Sequence, residues 1–221
     1  MRSSNPLTPN NGGTLGGEFW LWALAPWPAV GAGLYIFHSA LLAFAFYATV
    51  CLLGAARMRA FGHKLRLKWP LGVHLGIALA SNLALVGLYL WLGKYLLPVD
   101  KLRASLSGIG VTRASFVWLF PYFLIGNPLV EEYSWRAGVA KQCGFGPVSS
   151  SISGVLFGAW HSLPIFLICP WWVGILAVLG VMAIGFALAE IVDVSGTLGD
   201  AVLLHSLAAD LPLLVILWIA L

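Results

Sequence analysis

The most conspicuous scarcity in this sequence is charge. Only 9% of the 221 residues are Asp, Glu, Lys or Arg, whereas 60% are hydrophobic, and the mean hydropathy is +0.92. Soluble domains carry about 25% charged residues, so this composition excludes an ordinary soluble enzyme or binding module. At roughly 20 residues per span, the chain has room for about six transmembrane helices. We therefore expect an all-α, polytopic transmembrane helix bundle.

Cysteines, basic tracts and targeting signals are also scarce. The three cysteines, Cys51, Cys143 and Cys169, are too widely spaced to predict a disulfide framework or a zinc knuckle. The basic residues form no aromatic-rich tract, which favours lipid headgroups over nucleic acid as their partner. Residues 1–17 lack the apolar run of a signal peptide, and we expect a disordered tail there. Since no transit peptide or retention signal is present, we expect the cytoplasmic membrane of a prokaryote.

The apolar segments predict the order of the helices. Residues 19–32 are rich in tryptophan and contain two prolines, which favours a helix lying at the membrane interface. Spans are then predicted at about 34–55, 71–92, 114 onward, 148–168, 171–189 and 201–221. The predicted organisation is a tail (1–17), an interfacial helix with two spans (18–113) and a membrane core (114–221). Basic residues lie in both loops that flank the second span, so the sequence leaves the orientation open.

Acidic residues are concentrated in the most apolar half of the chain. Six of the eight follow residue 130, namely Glu131, Glu132, Glu190, Asp193, Asp200 and Asp210. A carboxylate in hydrocarbon costs a few kcal/mol or more unless it is paired or neutralised. This distribution indicates a polar site within the membrane core. We assign Asp200 instead to the N-cap of the last helix, and His38 and His74 to hydrogen bonds with the carbonyl of a neighbouring helix.

The segment VEEYSWRAGV, residues 130–139, places charges directly after an apolar run. Glu132 and Arg136 are four residues apart and share a helical face, so they can form an ion pair that lowers the cost of burying both. Glu131 points about 100° away from Glu132 and has no cation three or four residues further on. The sequence thus leaves Glu131 free for another task, and an intramembrane carboxylate of this kind indicates a functional site.

Two histidines lie in the apolar helices that follow. Phe157 and His161 share a face in FGAWHSLP, and His205 lies near the start of the last span. A carboxylate and two imidazoles from three helices could form a metal site, for instance for zinc with an open fourth position. They could equally form a metal-free site in which the carboxylate activates water as a general base. The composition does not separate these two chemistries.

These motifs resemble those of the CAAX-protease and bacteriocin-processing (CPBP) family of intramembrane endopeptidases, also called the Abi family. Glu131 to Arg136 is similar to the family's EExxxR motif, and Phe157 to His161 is similar to its FxxxH motif. The stretch GFALAEIVDVSGTLGDAVLLHSLAAD, residues 185–210, resembles the closing stretch that carries the final histidine. The resemblance covers about residues 115–215.

The resemblance implies a role for each of these residues. Glu131 and His161 would activate the water, and His205 would complete the site by stabilising the oxyanion or by binding metal. Supporting roles fall to Glu132, Arg136 and Phe157. The family is described both as metal-dependent and as glutamate-type, so the cofactor is either none or a divalent metal such as zinc bound by Glu131, His161 and His205.

One position departs from the family pattern. The family usually has Asn or Asp four residues after the last histidine, where this chain has Ala209, and the acid follows at Asp210. On a regular α-helix, five residues turn through 500°, which places Asp210 about 140° away from His205. Asp210 can replace the missing side chain only if the helix is distorted, for instance ahead of Pro212.

The sequence therefore predicts an intramembrane endopeptidase that cleaves near the C-terminus of a membrane-associated protein. CAAX proteins, leader peptides and sorting tails are all candidate substrates. The alternative is a non-catalytic membrane protein on the same scaffold, such as an immunity factor or a partner subunit. A proton-coupled transporter would also use intramembrane Glu and His, but transporters more often have repeated halves, and this chain has no internal repeat.

Overall fold

The computed structural model describes residues 16–144 and 146–221, and within these ranges it contains helices and turns but no β-strand. The long helices are α1 (Gly17–Ile36), α2 (Ala40–Arg57), α3 (Leu71–Leu96), α4 (Val99–Gly108), α5 (Arg113–Ala140), α6 (Pro147–Ile168), α7 (Trp171–Ser195) and α8 (Gly199–Ala220). The predicted all-α class is confirmed.

Six of the described helices are long and apolar enough to cross a membrane, namely α1, α2, α3, α6, α7 and α8. Helices α4 and α5 pass the same test only as a pair, bent by 80°. The outward face of α3 carries large apolar side chains such as Leu79, Leu83 and Trp91, which are 62%, 67% and 72% exposed. Such a surface suits contact with lipid, and the predicted multi-pass membrane protein is confirmed.

Several predicted boundaries differ from the structure. The tryptophan-rich segment predicted to lie at the interface is part of α1, whose 20 residues also suit a crossing. The chain turns between α1 and α2 at His38, which has a φ of 49°, so Leu34 belongs to α1 rather than to the next span. Helix α7 extends beyond the predicted end at 189 as far as Ser195. The predicted tail lies outside the described residues up to residue 15, and Gly17 already begins α1.

The prediction that Asp200 caps the last helix is wrong. The N-cap position of α8 is Leu198, and Asp200 lies inside the first turn. Its carboxylate accepts hydrogen bonds from the backbone N–H groups of Lys68 and Trp69, and it lies 2.9 Å from His74 Nε2. The loop before α3 thus supplies two backbone donors and the first turn of α3 supplies His74, and this is why the carboxylate faces that loop. His74 does join two helices, but its partner on α8 is this carboxylate and not the backbone carbonyl that was predicted.

A helical hairpin of α6 and α7 supports the site from one side. The two helices approach closely at Gly154, where an added Cβ would lie 2.7 Å from the backbone nitrogen of Phe186. Only glycine permits this approach. Gly185 on α7 lies against the ring of Phe157, so the hairpin also fixes the position of that ring.

Helices α5 and α8 both contain π-helical segments, with wider i→i+5 hydrogen bonding: Tyr122–Gly126 and Glu132–Ala140 in α5, and His205–Asp210 in α8. The segment in α5 at Tyr122–Gly126 precedes Pro128. Because Pro128 has no N–H, the carbonyl of Leu124 loses its intrahelical donor. Ser206 Oγ of α8 donates a hydrogen bond to that carbonyl, which fixes α8 against α5.

The segment in α8 has a similar explanation. Pro212 has no N–H to donate to the carbonyl of Ala208 four residues earlier, or to that of Leu207 five residues earlier. Ser81 Oγ of α3 donates to the Ala208 carbonyl, and Asn82 Nδ2 donates to the Leu207 carbonyl at 2.8 Å. Side chains of α3 therefore satisfy the carbonyls that the proline leaves free, and they hold the distorted helix in place.

Candidate active site

Two neighbouring carboxylates and one imidazole form the centre of the candidate site. Glu131 and Glu132 on α5 are fully buried, and His205 on α8 is 3% exposed. His205 Nδ1 lies 2.8 Å from Glu132 Oε1, and its Nε2 lies 3.2 Å from Glu131 Oε2. The imidazole thus lies between the two carboxylates and faces one with each nitrogen.

This arrangement requires an additional proton. A neutral imidazole carries one N–H, so it can donate to only one of two carboxylates, and its other nitrogen would face a carboxylate lone pair to lone pair. Both contacts of His205 are favourable when the ring is an imidazolium, or when Glu131 or Glu132 is protonated. The cluster therefore holds a proton between groups that can exchange it, which is the requirement for general acid–base chemistry.

The ion pair predicted between Glu132 and Arg136 is present. Arg136 Nε lies 3.2 Å from Glu132 Oε2, and both side chains are fully buried. The guanidinium also lies over the ring of Phe157, with Cζ 4.3 Å from the ring centroid. Within the described residues, Nη1 and Nη2 of Arg136 are buried without a hydrogen-bond partner. The ion pair between Glu132 and Arg136 compensates only part of the charge in the cluster. The four N–H groups on Nη1 and Nη2 of Arg136 stay available as donors in the site.

Glu131 has partners that the sequence did not predict. The hydroxyl of Tyr47 on α2 donates a 2.6 Å hydrogen bond to Glu131 Oε1, and Trp135 Nε1 donates to the Tyr47 oxygen at 3.1 Å. Glu131 is therefore held from two sides, by Tyr47 and by His205. The signal in the sequence is a phenol within the apolar run FAFYATV, but its partner lies 84 positions away.

Asp210 reaches the site because α8 is distorted. In the π-helical segment His205–Asp210, Asp210 Oδ1 lies 3.6 Å from His205 Nε2. Asn127 on α5 donates a 3.4 Å hydrogen bond from Nδ2 to Asp210 Oδ2. The wider turn ahead of Pro212 brings Asp210 onto the side of α8 that carries His205, although a regular helix would place the two residues on different sides. The sequence had set such a distortion as the condition for Asp210 to reach the site. Asn127 was missed, although an amide before a proline within an apolar segment was a usable signal.

His161 is set apart from the carboxylates. Its Nδ1 lies 2.7 Å from the carbonyl oxygen of Phe157, and a carbonyl only accepts, so Nδ1 carries the hydrogen. The ring of Phe157 contacts both imidazoles, with centroid distances of 4.6 Å to His161 and 6.0 Å to His205. In the described part of the chain, His161 forms no hydrogen bond or ion pair with Glu131. Unlike Glu131 it is only partly buried, and its Nε2 is available as an acceptor when the ring is neutral.

The arrangement does not fit a metal site. Among residues 16–144 and 146–221, no three His, Cys, Asp or Glu side chains are placed so as to hold a metal ion. Glu131 and His205 face each other, which directs their donor atoms at one another rather than at a common point. We therefore derive no catalytic step through a metal.

Comparison with known proteins gives one match, to a family model. Residues 113–209 match the family model described as type II CAAX prenyl endopeptidase, Rce1-like. No curated protein and no solved structure matches the chain significantly. The match begins where α5 begins and ends one residue before Asp210, so it contains both glutamates and both histidines of the site. The predicted resemblance to the CPBP proteases is thus confirmed over residues 113–209, where this membrane protein is similar to the Rce1-like family of type II CAAX prenyl endopeptidases.

Proposed function

We propose that this protein hydrolyses a peptide bond near the C-terminus of a membrane-associated protein, with Glu131 as the general base. The observation that supports this most directly is the full burial of Glu131 between Tyr47 and His205. A carboxylate held in this way inside a membrane protein has a fixed direction and a nearby proton donor. The Rce1-like match supports the class of reaction, and a prenylated CAAX tail is the first substrate to test.

The reaction follows from the proton inventory of the site. Glu131 takes a proton from a water molecule as the water oxygen forms a bond to the scissile carbonyl carbon. The C–N bond then breaks, and the leaving amine receives that proton from Glu131. The overall reaction consumes one water and produces one carboxylate and one ammonium group, since the second proton of the water passes from the new carboxylic acid to the amine.

His161 is proposed to act on the same water from the more accessible side. Since Nδ1 donates to the Phe157 carbonyl, the neutral ring presents Nε2 as an acceptor. We place the entrance for substrate on the side of His161, which is partly exposed, because Glu131 is fully buried. This division of roles keeps the base away from bulk water while the reacting water enters past the imidazole.

Negative charge on the carbonyl oxygen needs donors. The free Nη groups of Arg136 and the amide of Asn127 are suitable donors close to the glutamates. His205 was predicted to stabilise the oxyanion or to bind metal, and that role stays a prediction. In the resting geometry both of its nitrogens face carboxylates, so His205 would first have to release Glu131.

A comparison of protein termini tests the proposal. The gene is deleted in the source organism and restored as wild type, as Glu131→Gln, or as Asp193→Asn, which changes an exposed acid at the end of α7. New C-terminal ends should be present with wild type and Asp193→Asn and absent with Glu131→Gln. If Glu131→Gln restores the same termini as wild type, Glu131 is not catalytic and the non-catalytic scaffold becomes the better account.

A further inference from the structure

A basic segment lies across one end of the helix bundle, far from the glutamates in sequence. We call residues 63–69, HKLRLKW, the basic strap; they connect the short turn Ala60–Gly62 to α3 and contain no helix. Basic and leucine residues alternate within it. From residue 57 to residue 70 the chain has five Lys or Arg residues and no acidic one.

The backbone of the basic strap is fixed at every second residue. The Lys64 carbonyl accepts a 3.0 Å hydrogen bond from the backbone N–H of Leu198, and the Arg66 carbonyl accepts one from Thr197 Oγ1. Lys68 N–H donates to the Asp200 carboxylate at 3.1 Å. This spacing is that of an extended chain, in which successive side chains point to opposite sides. The turn between α7 and α8 therefore holds the strap in one conformation.

A glycine makes this contact possible. An added Cβ on Gly199 would lie 2.5 Å from the Arg66 carbonyl oxygen, which is closer than any side chain tolerates. The strap thus packs directly on the backbone at the start of α8. Replacing Gly199 would displace the strap without changing any charge, which gives a way to separate its shape from its charge.

The side chains of residues 64–68 of the basic strap are exposed. Lys64, Arg66 and Lys68 are exposed, and in the described part of the chain none of their side chains forms an ion pair or hydrogen bond. Leu65 and Leu67, between them, are 51% and 44% exposed. Three unpaired cations and two exposed leucines on a rigid backbone form a surface that is both basic and apolar.

The position of the strap places it at the membrane boundary. It follows the end of α2, precedes the start of α3, and contacts the turn that joins α7 to α8. All four of these helices are candidate spans, so their ends here mark the level at which hydrocarbon gives way to headgroups. A leucine at this level can enter the acyl region while a neighbouring cation meets phosphate.

We propose that the basic strap is a binding site for anionic phospholipid. The headgroup phosphate would bind among Lys64, Arg66 and Lys68, and the acyl chains would pack on Leu65 and Leu67. A lipid suits this surface better than free phosphate, because free phosphate would use the cations and leave the leucines in water. An acidic protein segment would likewise fail to use an apolar contact at hydrocarbon level. The site does not depend on the peptidase activity proposed above.

Lipid binding to the purified full-length protein tests this proposal. Dioleoyl phosphatidylglycerol and dioleoyl phosphatidylcholine are titrated separately into the detergent-solubilised protein, and bound lipid is counted by native mass spectrometry. Wild type should prefer phosphatidylglycerol by tenfold or more, since each cation near an anionic headgroup contributes about fivefold. Lys64→Gln/Lys68→Gln should remove most of this preference. Lys101→Gln/Arg113→Gln, an equal loss of charge beyond the other end of α3, should retain it.

Gly199→Ala gives the second arm. If the rigid strap forms the site, this variant should lose preference for phosphatidylglycerol while keeping every cation. Equal loss in both charge variants would mean that net charge alone attracts the lipid, and an unchanged Lys64→Gln/Lys68→Gln variant would place the lipid elsewhere; either result overturns the proposal. Inorganic phosphate at millimolar concentration should not displace the lipid, and complete displacement would identify a simple phosphate site instead.

Discussion

The protein buries two clusters of histidine and carboxylate, and they differ in how fully their polar groups are satisfied. Asp200 accepts from two backbone N–H groups and His74, while His74 Nδ1 lies 3.2 Å from the Pro70 carbonyl. The cluster around His205 combines three carboxylates with one guanidinium and leaves the Nη groups of Arg136 without partners. The satisfied cluster joins the loop before α3 to α8. The unsatisfied one holds the groups to which we assign the proposed chemistry.

The largest expected effect is the loss of turnover in a His161 variant, and a His74 variant serves as its comparison. His161→Ala should lower peptidase turnover by about 10²–10⁴-fold, the usual contribution of general acid–base catalysis. Folded yield should stay close to wild type, because His161 bonds only to its own helix. His74→Ala should show the reverse pattern, with reduced folded yield and near-normal turnover per folded molecule. Turnover on a prenylated CAAX peptide in proteoliposomes and size-exclusion yield measure both. Normal turnover in His161→Ala contradicts its proposed role.

A second large effect concerns stability within the unsatisfied cluster. Arg136→Ala leaves Glu132 buried without its cation and should lower the free energy of unfolding by about 3–5 kcal/mol. Denaturant titration in detergent measures the loss. Arg113→Ala, which removes an exposed guanidinium stacked on Trp218, is the control and should cost about 1 kcal/mol or less.

The double variant Arg136→Ala/Glu132→Gln sharpens this result. Removing the unpaired charge should recover part of the stability, because the cost of Arg136→Ala comes mainly from the isolated carboxylate. If the double variant is less stable than Arg136→Ala alone, the contact between Glu132 and His205 contributes more than the ion pair does.

A smaller effect is expected in the satisfied cluster. Asp200→Asn keeps the shape of the side chain but removes its charge, and it weakens hydrogen bonds that are each worth about 1.5–3 kcal/mol when one partner is charged. The free energy of unfolding should fall by about 2 kcal/mol, while turnover per folded molecule stays unchanged. Thermal unfolding and single-concentration turnover on the same samples test this. Reduced turnover at full folding would show that the two clusters are coupled through α8.

The smallest effect should come from Asp210, which lies furthest from His205 among the three carboxylates. Asp210→Ala should lower turnover by about tenfold, since it removes a contact that orients the imidazole. Asp210→Asn keeps one acceptor for Asn127 and should lose less activity than Asp210→Ala. Equal activity in wild type and Asp210→Ala would show that the π-helical turn brings Asp210 near the site without giving it a role there.

The motifs predicted much of the site because its ion pair is local. Glu132 and Arg136 lie within one helical turn, so their spacing along the chain already fixes their contact. The partners of Glu131 could not be predicted in this way, since Tyr47 and His205 approach from other helices. The motif EExxxR predicted a free Glu131, whereas in the structure Oε1 accepts a hydrogen bond from Tyr47 and Oε2 lies 3.2 Å from His205 Nε2.

Asp210 illustrates a different limit. Regular helix geometry predicts that it points away from His205, and the sequence contains Pro212 as the reason for an exception. Whether a proline kinks a helix or widens it into a π turn depends on what satisfies the freed carbonyls. Here Ser81 and Asn82 do so from a helix more than 120 positions earlier in the chain.

The sequence by itself determined a multi-pass helical membrane protein, the similarity of residues 113–209 to the Rce1-like family and the residue types of the candidate site, because hydropathy and short motifs are local properties of the chain. Only the tertiary structure decided which carboxylate meets which nitrogen of His205, that Nδ1 of His161 faces the Phe157 carbonyl, and that Asp200 binds a loop instead of capping a helix. These outcomes depend on how separate helices pack. In a membrane, each buried polar group takes whichever donor the neighbouring helix supplies.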